Sequence, residues 1–150
     1  MNLLGAVIAG LFGTFALSLV MATAPSMGLP KMDIVGMLAS MLQKDGNRLL
    51  GWGIHLMIGI LFALVYAILW SIGIGRAAPL WGLAFGGVHW LFAGLVMGGV
   101  PVMHAGVKAG TLQAPGVFML NTGGLMAFMG GLIGHLIFGL VVALVYSLFI

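Results

Sequence analysis

Four long runs without a charged residue divide the chain, about Leu3 to Ala24, Leu49 to Ile72, Leu80 to Val100 and Leu125 to Ile150. Each reaches the roughly 20 helical residues that cross a bilayer. Within them, small residues recur in steps of four, the spacing of one helix face. The second run gives Gly51, His55, Gly59, Ala63 and Ala67, and the fourth gives Gly131, His135, Gly139, Ala143 and Ser147. Comparable stripes are Ala6, Gly10, Thr14, Ser18 and Ala22 in the first run and Gly82, Gly86, Gly94 and Gly98 in the third, there interrupted by Trp90. In lipid, apolar helices gain little by hiding from solvent, so they associate where small side chains let backbones approach. Gly59, Ala63, Gly139 and Ala143 are therefore the expected helix interfaces.

The segments between the runs differ in kind. The first, "GLPKMDIVGMLASMLQKDGN", holds two of the five basic residues, Lys31 and Lys44, and both acidic ones, with Arg48 immediately after it. Asp33 there is placed to cap a helix whose Ile34, Met37, Leu38, Met41 and Leu42 share a face, predicting a short amphipathic helix in the headgroup plane or against a partner. The second, "SIGIGRAAP", reads as a tight hairpin turn. The third, over residues 101–124, is long, glycine-rich and nearly uncharged, and its sequence leaves open whether it is interfacial or re-entrant.

The runs also repeat. "HLMIGILFALVY" from His55 agrees at seven of twelve positions with "HLIFGLVVALVY" from His135, and Met21, Pro25 and Met27 fall on Met97, Pro101 and Met103 when the first run is laid over the third. The pattern predicts an all-α integral membrane four-helix bundle made of two tandem parallel-repeat helix hairpins, about residues 1–75 and 76–150, in a single transmembrane domain.

Composition agrees with a membrane setting. The chain is 63% hydrophobic and 5% charged, whereas about a quarter of the residues in a soluble domain are charged. Five scattered basic residues form no nucleic-acid footprint. With no cysteine, disulfides and thiolate metal sites are excluded. A cleavable leader is not expected, since no positive charge precedes the first run and Pro25 would follow the cut after "ATA". Lys31, Lys44, Arg48 and Lys108 lie in or beside the long linkers and only Arg76 lies in the short one, so both termini are expected outside the cytoplasm. Tyr66, Trp70, Trp81 and Tyr146 would then form an aromatic belt at the outer interface.

Histidine is the only type within the runs that can titrate near neutral pH, and such a group inside a membrane is a candidate site. Two readings of His55 and His135 stay open. Each neutral imidazole donates a hydrogen bond to a neighbouring backbone, or the two approach across the repeat axis and ligate haem b. His89 and His104 have glycine at their repeat-equivalent positions and thus no symmetric partner. Met97, Met103 and His104, within a chain of twelve methionines, suggest a Cu(I)-handling alternative, against which methionine is also a flexible filler of apolar gaps. Catalysis is not expected, since no run carries a carboxylate or lysine and the glycines lack the Gly-Lys-Ser/Thr ending of a phosphate loop.

"APSMGLPKMDIVGMLASML" together with "GWGIHLMIGILFALVYA" resembles an uncharacterised family of small bacterial four-span integral membrane proteins. The resemblance implies the four-span fold and the bacterial inner membrane, and brings no activity. The expected role is a small, non-catalytic accessory or structural subunit. Its partners would be the bilayer and larger membrane subunits, with homo-oligomerisation left open.

Overall fold

The four runs become four long helices, joined by short helical turns and without a strand. The computed structural model describes all 150 residues. The long helices are α1 (Leu3–Thr23), α3 (Arg48–Ser71), α4 (Pro79–Met97) and α7 (Leu120–Ser147); between them lie α2 (Ile34–Ala39), α5 (Val100–Met103) and α6 (Ala105–Lys108). All four long helices are long and apolar enough to cross a membrane. α4 stops short of the expected Val100 because Gly98 and Gly99 weaken it and Pro101 opens a new turn. α7 begins at Leu120, but Gly124 within it has φ 56° and ψ −151°. That conformation is open essentially to glycine alone, so the regular helix begins at Leu125, as expected.

The chain divides into two compact units, residues 1–20, 56–90 and 132–150 in the first and residues 21–55 and 91–131 in the second. In the first unit, small-residue stripes hold helix pairs together. A Cβ on Gly10 of α1 would meet the backbone of Ile60 and the carbonyl of Gly59 in α3, and one on Gly59 would overlap Thr14 Oγ1. Likewise a Cβ on Gly86 of α4 would overlap the carbonyl of His135 in α7, and one on Gly139 would overlap that of Gly82. α1 and α7 also meet, where Gly13 faces Val142 and Phe138, and Gly134 faces Leu17. Ala63 and Ala143 are buried beside these contacts. Gly59, Gly139 and Ala143 therefore lie at contacts between helices of this unit, and Ala63 is buried. Asn2 fastens the two ends of the chain: its Oδ1 accepts from Gly5 N–H and caps α1, its backbone N–H donates to Tyr146 Oη, and its side chain donates to the carbonyl of Phe149.

In the second unit, Asp33 caps α2 as expected, accepting from Gly36 N–H. The helix is shorter than the apolar pattern implied and turns a different face inward. Val35, Met37, Leu38 and Ala39 are buried, while Leu42 lies beyond the helix and is exposed. Gly51 of α3 brings backbones together here, since its Cβ would overlap the carbonyl of Val35. α2 is thus packed on its own chain, with Met37 and Leu38 of the expected stripe buried. Its end pairs with α6 through Ala105 N–H to Met41 O and Gly106 N–H to Ser40 O. Met32, Ala24 and Ala127 form a further small core.

Asp33 also receives both arms of the Arg48 guanidinium, at 2.7 and 3.0 Å. The hydrogen bond from Arg48 holds its carboxyl below the usual carboxylate range against the opposing effect of partial burial, with help from Gly36 N–H and the charges of Arg48 and Lys31. A depressed acid stabilises the fold above its unfolded pKa and loses that contribution as pH falls through the lower folded value. Both side chains are more than a third exposed, so water and salt screen the pair and leave it a small contribution. Asp33→Asn, which keeps a capping oxygen, is expected to lower stability by about 0.5 kcal/mol at neutral pH. Thermal unfolding checks this: the deficit fades below about pH 4 and shrinks in high salt.

Candidate functional site

Tyr66 and Trp70 stand one turn apart on α3, so their rings share a face and lie 5.8 Å apart between centroids. From α4, Phe85 approaches both rings, at 5.0 and 5.6 Å. One turn further along α4, His89 stacks on Phe62 at 3.6 Å and 17° and meets Tyr66 edge-on at 6.3 Å. α7 closes the cluster with His135, 4.8 Å from His89 and nearly perpendicular to it, and with Phe138 and Tyr146. All of these residues belong to the first unit. The cluster exists because the glycine contacts of α4 with α7 bring those backbones close enough for rings one turn away to interleave.

Most of this cluster was not anticipated. Tyr66, Trp70 and Tyr146 do gather, but inside the protein at 3%, 8% and 2% exposure. Only Trp81 keeps the exposed position expected of a belt residue, with 41% of its surface accessible. The belt is corrected to a core, because each of these rings lies on the small-residue side of its helix. His89, without a partner in the repeat, is the histidine that His135 meets.

The cluster is rich in polar atoms and poor in partners for them. Tyr66 Oη, Trp70 Nε1 and His89 Nδ1 are buried without a hydrogen bond from the protein. Leaving such a group unsatisfied costs roughly 1–3 kcal/mol, so three together rival the net stability of a small domain, about 5–15 kcal/mol. Tyr146, equally buried, differs in that its hydroxyl accepts from Asn2 N–H. The position in the third run that matches Asn2 is Ala78, whose N–H instead closes a turn onto Arg76 O. Tyr66 therefore has no counterpart of the Asn2 contact.

His55 belongs to the second unit and His135 to the first, and the ring beside His55 is Trp52, at 6.1 Å. Of the residues considered for copper, Met103 is exposed and Met97 half-buried. His104 is almost fully buried, at 2% exposure, with both nitrogens engaged. Nδ1 accepts from Val107 N–H, which caps α6 and places the ring proton on Nε2, which donates to Met37 O at 2.8 Å. In this arrangement His104 offers a metal ion no lone pair, and Met32 and Met37 serve as buried packing. No protein-family profile, curated protein or solved structure matches the chain.

Proposed function

We propose that the chain is a small, non-catalytic, multi-pass protein of the bacterial inner membrane that serves as an accessory or structural subunit of a larger membrane complex. The observation that carries this reading is the placement of its large apolar side chains. Leu19, Met57, Leu61, Leu95, Phe92 and Leu125 are exposed along the long helices while glycine, alanine and the polar rings are turned inward, the inverse of a water-soluble bundle and the arrangement that lipid favours. Catalysis lacks a carboxylate in any long helix, and of the two acids Asp33 is occupied by Arg48.

The duplicated-hairpin reading gains support from the glycine contacts. Gly10 lies against Gly59, and Gly86 lies against Gly139; Gly10 matches Gly86 and Gly59 matches Gly139 in the aligned runs. One contact thus maps onto the other. An even number of crossings would put both ends of the chain on one side, and the basic residues of the long linkers support a non-cytoplasmic side for them.

Mild detergent extraction from a native membrane, followed by sizing and mass spectrometry of what travels with the chain, tests the subunit reading. The expected result is a particle larger than the chain containing at least one further membrane protein. A particle composed of this chain alone would overturn it. For orientation, a reporter active only in the cytoplasm and fused after Ile150 is expected to stay silent. Strong activity would reverse the sidedness without touching the subunit reading.

A further inference from the structure

Tyr66, Trp70 and His89 lie in one interhelical cluster of the first unit, and each is more than nine-tenths buried with a polar atom that no protein group meets. We propose that the cluster is a binding site for ordered water, one molecule or a linked pair, bridging Tyr66 Oη, Trp70 Nε1 and His89 Nδ1 between α3 and α4. The chemistry of the three atoms fits. Trp70 N–H can only donate, Tyr66 O–H donates or accepts, and His89 Nδ1 takes either role according to tautomer. A neutral molecule that both accepts and donates satisfies all three, and a buried water typically makes about three such bonds.

A flat carbonyl compound of the same bonding type could not intercalate between these rings. The rings around the three atoms stand 3.6 to 6.3 Å apart, so a further planar ring finds no slot between them, because aromatic neighbours stack no closer than about 3.5 Å on each face. The neighbouring His135 imidazole, 4.8 Å from His89, extends the polar character of the site toward α7.

Radiolytic hydroxyl labelling of the full chain in oxygen-18 water reads the site directly, because a radical formed from a bound water attacks only side chains beside it. The expected result is oxygen-18 on Tyr66 and Trp70, with Tyr146 unlabelled. Tyr146 is equally buried, and its hydroxyl is occupied by Asn2. Tyr66 and Trp70 as silent as Tyr146 would overturn the proposal. So would an organic compound released by solvent extraction from protein that takes no label. Tyr66→Phe and Trp70→Phe add an independent reading. With water bound, each lowers the thermal midpoint and reduces labelling of the other residue; a raised midpoint would mean that the removed group had been bare and would also sink the proposal.

Discussion

Gly139→Ala is expected to destabilise the folded protein by about 1–3 kcal/mol through overpacking, and by more than Gly59→Ala does. Alanine favours a helix over glycine by up to about 1 kcal/mol, so a loss at either position is the reverse of what local propensity predicts. The difference between them lies in what the new methyl group meets. At Gly139 it runs into backbone, the Gly82 carbonyl and the Gly86 N and Cα, and only a shift of the whole helix makes room. At Gly59 the nearest obstacle is a single side-chain atom, Thr14 Oγ1, with the Gly10 carbonyl further off at 3.3 Å. Thr14→Ala should therefore rescue Gly59→Ala in good part and leave Gly139→Ala unchanged. Unfolding midpoints of the five variants in one detergent decide it. Equal losses, or no rescue, would show that the helix pairs do not rest on these contacts.

His104→Ala is the second large effect, a loss of roughly 2–5 kcal/mol. One buried ring satisfies two backbone groups far apart in sequence, the Val107 N–H and the Met37 carbonyl. Its truncation leaves both without a partner and opens a cavity between α2 and α6. His104→Asn separates the two roles. Asparagine is a good helix cap and can still accept from Val107 N–H, while it is too short to keep the bond to Met37, so its cost should fall near half of that of alanine. If both variants unfold with the wild type, the clamp contributes nothing; if both fall equally far, the cap is not what His104 supplies.

The long helices were legible because absence of charge over a bilayer's length is a coarse signal that survives sequence drift. The helix contacts at Gly59, Gly139 and Ala143 were legible for a related reason, since a four-residue step of small side chains has few meanings in an apolar helix. What the pattern could not supply was which ring meets which. Repeat logic pairs equivalent residues and so directs attention to His55 and His135, whereas the ring contact of His135 is with His89 on α4, a helix whose matching position is Gly13. Tyrosine and tryptophan near helix ends suit an interface and a core alike, and only the direction of the small-residue face distinguishes them. α2 misled for a similar reason: Ile34, Met37, Leu38, Met41 and Leu42 make a plausible stripe, but the helix ends at Ala39, so the last two never join it.

The single bond from Asn2 to Tyr146 makes the two hairpins unequal in what they could build alone. On the duplicated-hairpin reading, two copies of the first hairpin would bring an asparagine to each Tyr66, and both hydroxyls would be met. Two copies of the second would bring Ala78 to each Tyr146, and neither would be. On that reading the chain, with one of each, ties one tyrosine through its own backbone and leaves the other without a protein partner, a dissymmetry that no self-paired hairpin can reproduce. On the same reading, joining unlike halves in one chain confines the hydroxyl that the protein does not meet to a single place in the first unit.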